Sequence, residues 1–99
     1  MNKLEHRYAE HLTIEQHQGE IEAFRFEPLK LRLADRTFVE LDFLVVAKDR
    51  VIELHEVKGH WEDDARVKIK VAAELFPWFR FYGVQWRKAT GWNMEAFHA

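Results

Sequence analysis

The 99-residue chain has no cysteine, two prolines and four glycines. Without cysteine it has neither a disulfide nor a thiolate zinc site, so any metal must be held by oxygen or imidazole. That absence suits an intracellular, cytoplasmic protein. No apolar run is long enough to cross a bilayer, and the start Met1-Asn2-Lys3-Leu4-Glu5-His6-Arg7 lacks the apolar stretch of a signal peptide. The expectation is a soluble chain with no membrane partner. Charge of one sign is also missing: 15 Lys and Arg against 17 Asp and Glu give a formal charge of -2. This excludes a surface that attracts polyanions everywhere, but leaves local basic clusters at Arg66-Lys68-Lys70 and Arg80-Arg87-Lys88.

What is present is enough for one core. At 47% hydrophobic and 14% aromatic residues, a chain of this length reads as a single domain, residues 1–99. Lys3 to about Gln18 contains no proline or glycine and predicts a helix, with Gly19 as its left-handed stop. Ile21–Phe26, Leu29–Leu33, Thr37–Ala47 and Val51–Lys58 read as four strands in a meander, separated by Pro28, Ala34-Asp35-Arg36 and Lys48-Asp49-Arg50. Glu62-Asp63-Asp64 opens a second helix running to about Phe76, closed by Pro77. Arg80–Arg87 predicts a fifth strand, in which Gly83 marks a bulge or a close approach. The tail beyond Thr90-Gly91 is ambiguous, with Trp92, Met94 and Phe97 available to dock it.

The third and fourth strands hold a contradiction. A hairpin around Lys48-Asp49-Arg50 sets Ala47 against Val51, Val46 against Ile52 and Leu44 against Leu54, and so sets Asp42 against Glu56. Opposed side chains have Cβ atoms about 4.5–5.5 Å apart, a destabilising distance for like charges unless a cation lies between them. A divalent ion resolves the conflict, and hard Mg²⁺ suits one or two carboxylates plus water and phosphate oxygens. Lys58 projects from the same face as Glu56.

Both helices repeat the anomaly. At about 100° per residue, Glu5 falls near the middle of the arc formed by Tyr8, Ala9 and Leu12, where a carboxylate is costly unless paired. In the second helix Arg66, Lys70 and Glu74 form a polar face, whereas Lys68 falls among Ala65, Val71, Ala72 and Leu75. Lys68 should therefore point inward or snorkel to the edge of the core. Each of these residues alone has a plainer reading: a solvated strand end for Glu56-Val57-Lys58, a first helical turn facing water for Glu5, an aliphatic stem for Lys68. Their agreement is what favours a site. The six histidines do not favour a zinc centre. His6 and His11 are five apart, off the i, i+4 register of a helical metal pair, His55 faces away from Glu56, and His60 reads as a solvated loop residue.

Asp42, then Glu56-Val57-Lys58, then a helix with an inward lysine resembles the PD-(D/E)XK nuclease superfamily. Lys3 to Leu12, Gly19-Glu20-Ile21, Pro28-Leu29, Leu41-Asp42-Phe43, His55 to Gly59, Lys68-Ile69-Lys70 and Gly91-Trp92 are similar to its short phage-type, resolvase-like endonuclease branch. The resemblance implies an α/β (α+β) fold with a restriction-endonuclease-like core: a central mixed sheet of about five strands flanked by two helices. It implies Mg²⁺, with Mn²⁺ as substitute, held by Asp42, Glu56, the Val57 carbonyl and Glu5. The sequence departs from the family at Leu41, where proline is usual.

The function that follows is metal-dependent hydrolysis of a DNA phosphodiester, with branched or junction DNA as a candidate substrate, and with Asp42, Glu56, Lys58 and Lys68 as catalytic residues. A single centre per domain makes a homodimer the expected state for cutting two strands. Two other classes compete: a non-catalytic DNA-binding or assembly module on the same fold, and a structural protein whose Trp61, Trp78, Trp86 and Trp92 join subunits.

Overall fold

The computed structural model describes residues 1–98 and has nine regular elements. In chain order they are α1 (Lys3–His17), β1 (Ile21–Phe26), β2 (Lys30–Ala34), β3 (Thr37–Glu40), β4 (Phe43–Ala47), β5 (Ile52–Val57), α2 (Asp63–Leu75), β6 (Arg80–Arg87) and β7 (Gly91–Phe97). Five strands form a mixed sheet in the order β1-β4-β5-β6-β7, while β2 and β3 pair only with each other. All neighbours in the main sheet are antiparallel except β5 and β6, which run parallel because α2 carries the chain back across the sheet. The fold is α+β, as expected.

Strand alternation divides the interior into two cores. Phe43, Val45, Val57 and Val84 pack against Tyr8 and Leu12 of α1. On the opposite face, Leu54, Phe81 and Phe97 pack with Ile69, Ala72 and Ala73 of α2, and Leu31 of the β2–β3 hairpin joins them. The sheet is thus covered by α1 on one side and by α2 with the small hairpin on the other.

The β4–β5 register is the expected one, with Val46 opposite Ile52 and Leu44 opposite Leu54. The expected count of about five strands is also met, but the membership differs. The meander does not form, because β1 pairs with β4 and the intervening hairpin leaves the sheet. The segment 43–47 is apolar on both faces, so β4 needs a neighbour on each edge and a core on each side; β1 supplies the missing edge. Thr37–Ala47 is two strands rather than one, broken at Leu41-Asp42, where Leu41 is buried in the α2-side core. The ambiguous tail becomes β7, which buries Phe97 while Met94 stays exposed.

Two helix expectations also need correction. The buried face of α2 is Ile69, Ala72 and Ala73, with Leu75 exposed, so the stripe lies slightly round the helix from the predicted one. Arg66, assigned to the solvent face, is half-buried and binds Glu95 through both guanidinium nitrogens. Gly19, as expected, stands just past α1 with φ +76°.

A hydrogen-bonded chain ties α1 to the sheet. Tyr8 Oη lies 2.6 Å from His55 Nδ1, and His55 Nε2 lies 2.9 Å from Glu53 Oε1. A carboxylate only accepts, so in the neutral ring Nε2 carries the proton and the Tyr8 hydroxyl donates to Nδ1. Burial and the nearby Glu15 and Glu53 charges push the Tyr8 pKa upward, which keeps that hydroxyl a donor.

Gly83 answers to a close approach, not a bulge. The ladders on both sides of it are continuous, and a Cβ there would stand 2.8 Å from Trp61 Cζ2 and 2.9 Å from Phe97 Cε2. Gly83→Ala is expected to destabilise the fold by about 1–3 kcal/mol through overpacking, read as a lower urea midpoint with unchanged slope.

Candidate active site

The site begins at the end of the β4–β5 hairpin. Asp42 sits in a bend just before β4, and Glu56 sits near the end of β5 on the α2-facing side of the sheet. The bend is pinned from behind, since the Asp42 carbonyl accepts from the Glu27 N–H at 2.8 Å. Glu27 holds φ +45° to make that bond, a left-handed conformation uncommon for a non-glycine residue.

From there each carboxylate accepts from the backbone of the facing segment. The Asp42 N–H donates to Glu56 Oε1 at 3.2 Å, and the Val57 N–H donates to Asp42 Oδ2 at 2.8 Å. The N–H and C=O of one strand residue point the same way, so the Val57 carbonyl is directed to the side of β5 on which Asp42 lies. Lys58 Nζ stands 3.5 Å from Glu56 Oε2. The expected pair thus exists, with a peptide carbonyl and an amine beside it.

The electrostatics are those of two acids sharing one place. Burial first, then the Glu56 charge and the hydrogen bond to Glu56, push the Asp42 carboxyl up to about 8, against a partial offset from the Val57 N–H. Glu5 adds a smaller repulsion. Nearby, Glu27 is raised mainly by its hydrogen bond with Glu40 and further by Glu40 and Glu5 charge. Asp42, Glu56, Glu5, Glu27 and Glu40 therefore gather at one end of the sheet.

Glu5 is placed differently from its expected role. It belongs to α1, on the other face of the sheet, and its carboxylate caps its own helix: Glu5 Oε1 accepts from the Asn2 N–H and the Glu5 N–H donates to Asn2 Oδ1, each at 2.8 Å. The Asn2-x-x-Glu5 spacing of this capping box was present in the sequence. Glu5 senses Asp42 through space, but among the described residues no three His, Asp or Glu side chains are gathered closely enough to hold a metal ion. The assembled hard donors are two carboxylates and one carbonyl, a set that suits a small divalent cation completed by water.

Lys68 is exposed rather than inward, so its expected inward direction is not met. It lines a cleft of about 400 Å³ together with Glu56, Lys58, Phe38 and Glu40. One wall of this cleft comes from β3 and the other from α2. His60 is exposed beside Glu62, as a loop histidine should be. The predicted basic clusters are partly neutralised, since Arg66 binds Glu95 and Arg80 binds Asp49 at 2.9 Å.

The raised Asp42 pKa fixes a sign for metal-free stability. The group's ordinary value is 3.8 and its folded value about 8, so between them the folded state holds the extra proton. Its stabilising contribution is complete below 3.8 and is lost as pH rises through 8. Asp42→Asn keeps the hydrogen bonds without the charge. In chelator, its melting temperature should therefore gain on wild type as pH rises from about 5 to 9; a constant gap would contradict the raised Asp42 carboxyl.

Compared with known proteins, the chain matches no family model, no curated protein and no solved structure.

Proposed function

We propose that the protein is a divalent-metal-dependent DNA endonuclease with a restriction-endonuclease-like core. The observation that carries this reading is the Asp42–Glu56 pair: Glu56 accepts from the Asp42 N–H, Asp42 accepts from the Val57 N–H, and Glu56 lines a cleft that also contains Lys58 and Lys68. Ionising both carboxyls in this partly buried place costs stability, and a bound cation would remove that cost.

Mg²⁺ or Mn²⁺ would be held by Asp42, Glu56 and the Val57 carbonyl, with Glu5 near enough to add charge. When bound, the ion supplies Lewis acidity toward the scissile phosphate and lowers the pKa of water. The chain's own residues do the rest. Glu56 keeps Lys58 beside the carboxylate pair, where its ammonium orients the attacking water and offsets charge building on phosphorus. Lys68, from the opposite wall, holds the phosphodiester in the cleft. The acidic end of the sheet repels DNA until a cation is in place, which makes binding ordered: metal first, then polyanion.

Glu5's engagement in a capping box favours one rival, a DNA-binding or assembly module on the same fold. Cleavage separates the two. Plasmid, forked and single-stranded DNA incubated with Mg²⁺ or Mn²⁺ should be cut by wild type, not by Asp42→Asn, and about a hundred- to a thousandfold more slowly by Lys58→Ala. Equal rates in all three, or binding that persists in chelator without cleavage, would favour the rival.

Cutting two strands needs two centres, so the working form is a homodimer. Light scattering at assay concentration should give twice the chain mass; a monomer that still makes double-strand breaks would refute this.

A further inference from the structure

The β2–β3 hairpin has one face that the fold uses and one that it does not. Leu31, with Leu29, Leu33 and Val39, packs toward the α2-side core. Alternation therefore turns Lys30, Arg32, Phe38 and Glu40 outward. Phe38 is 45% exposed, although three of its outward neighbours are charged and the core is closed without it. Its surroundings are specific. Arg32 lies directly opposite Phe38 in the ladder, and Lys30 Nζ stands 5.9 Å from the ring centroid. Phe38 also forms the rim of the cleft that holds Glu56, Lys58 and Lys68.

An exposed ring flanked by two cations has the make-up of a platform for single-stranded nucleic acid, in which the ring takes the face of a base and the cations take adjacent phosphates. A strand rises about 3.3 Å per residue, so Phe38 lies at most about 13 Å along the chain from Asp42. A nucleotide stacked there is within a few positions of a phosphate at the carboxylate pair.

Resting on the nuclease reading above, we propose that Phe38, with Lys30 and Arg32, stacks an unpaired base beside the scissile phosphate. The preferred substrate is then DNA with unpaired nucleotides next to the cut, such as a fork, flap or bulge, rather than a continuous duplex. The paired base of an intact helix presents no free face to the ring, so duplex gains only the phosphate contacts.

The test compares a forked DNA carrying 2-aminopurine in its unpaired arm with a fully paired duplex of equal length, using wild type, Phe38→Ala and Phe38→Trp. Anisotropy is read with Ca²⁺ in place of Mg²⁺, and cleavage is read with Mg²⁺. Wild type should bind the fork more tightly and quench the 2-aminopurine. Phe38→Ala should weaken fork binding about five- to a hundredfold and abolish the quench, with duplex binding unchanged. Phe38→Trp should restore both, and thermal midpoints should match because the ring is outside the core. Equal weakening on both DNAs, or none on the fork, overturns the platform while Asp42-dependent cleavage leaves the nuclease reading standing. Wild type that neither binds nor cuts either DNA overturns both.

Discussion

Val46 opposite Ile52 and Leu44 opposite Leu54 set a register from which both cores and the candidate site follow. In it Phe43, Val45 and Val57 face α1, whereas Leu54 and Glu56 face the α2 side. A slip of one residue would reverse every side chain of one strand relative to its core. Phe43 would leave Tyr8, and Glu56 would leave Asp42. Two hydrophobic cores of opposite parity therefore hold the carboxylate pair in place, although neither carboxylate contributes to them.

The pair is maintained against its own repulsion by the backbone. Each carboxylate accepts an N–H from the facing segment, which fixes the geometry of the pair. This local cost is characteristic of places where a fold serves chemistry rather than stability. The same end of the sheet carries Glu5, Glu27 and Glu40, while the amines that line the cleft, Lys58 and Lys68, come from a strand end and a helix.

Much of this was legible in the residues. The turn Lys48-Asp49-Arg50 and the flanking apolar run specify the hairpin and hence the facing acids, because the side-chain period of a strand is two. Gly19 announced its left-handed stop, whereas Gly83 left a bulge and a close approach open until the structure set Trp61 and Phe97 against it. Less legible was the fate of Glu5: its helical phase is right for burial, yet the nearer partner, Asn2, takes its carboxylate. The Tyr8–His55–Glu53 chain escaped notice because its members are distant in sequence and meet only when α1 docks on the sheet.

By itself, then, the sequence determined what depends on neighbours along the chain: the helices, most of the strand segments, and the register across one tight turn. Tertiary structure alone decided which strands share the main sheet, since pairing β1 with β4 and expelling β2–β3 is settled by burial on both faces of β4, a long-range balance that no local window contains. It also decided that Lys68 and Phe38 line one cleft. That encounter depends on α2 and the hairpin packing on the same side of the sheet.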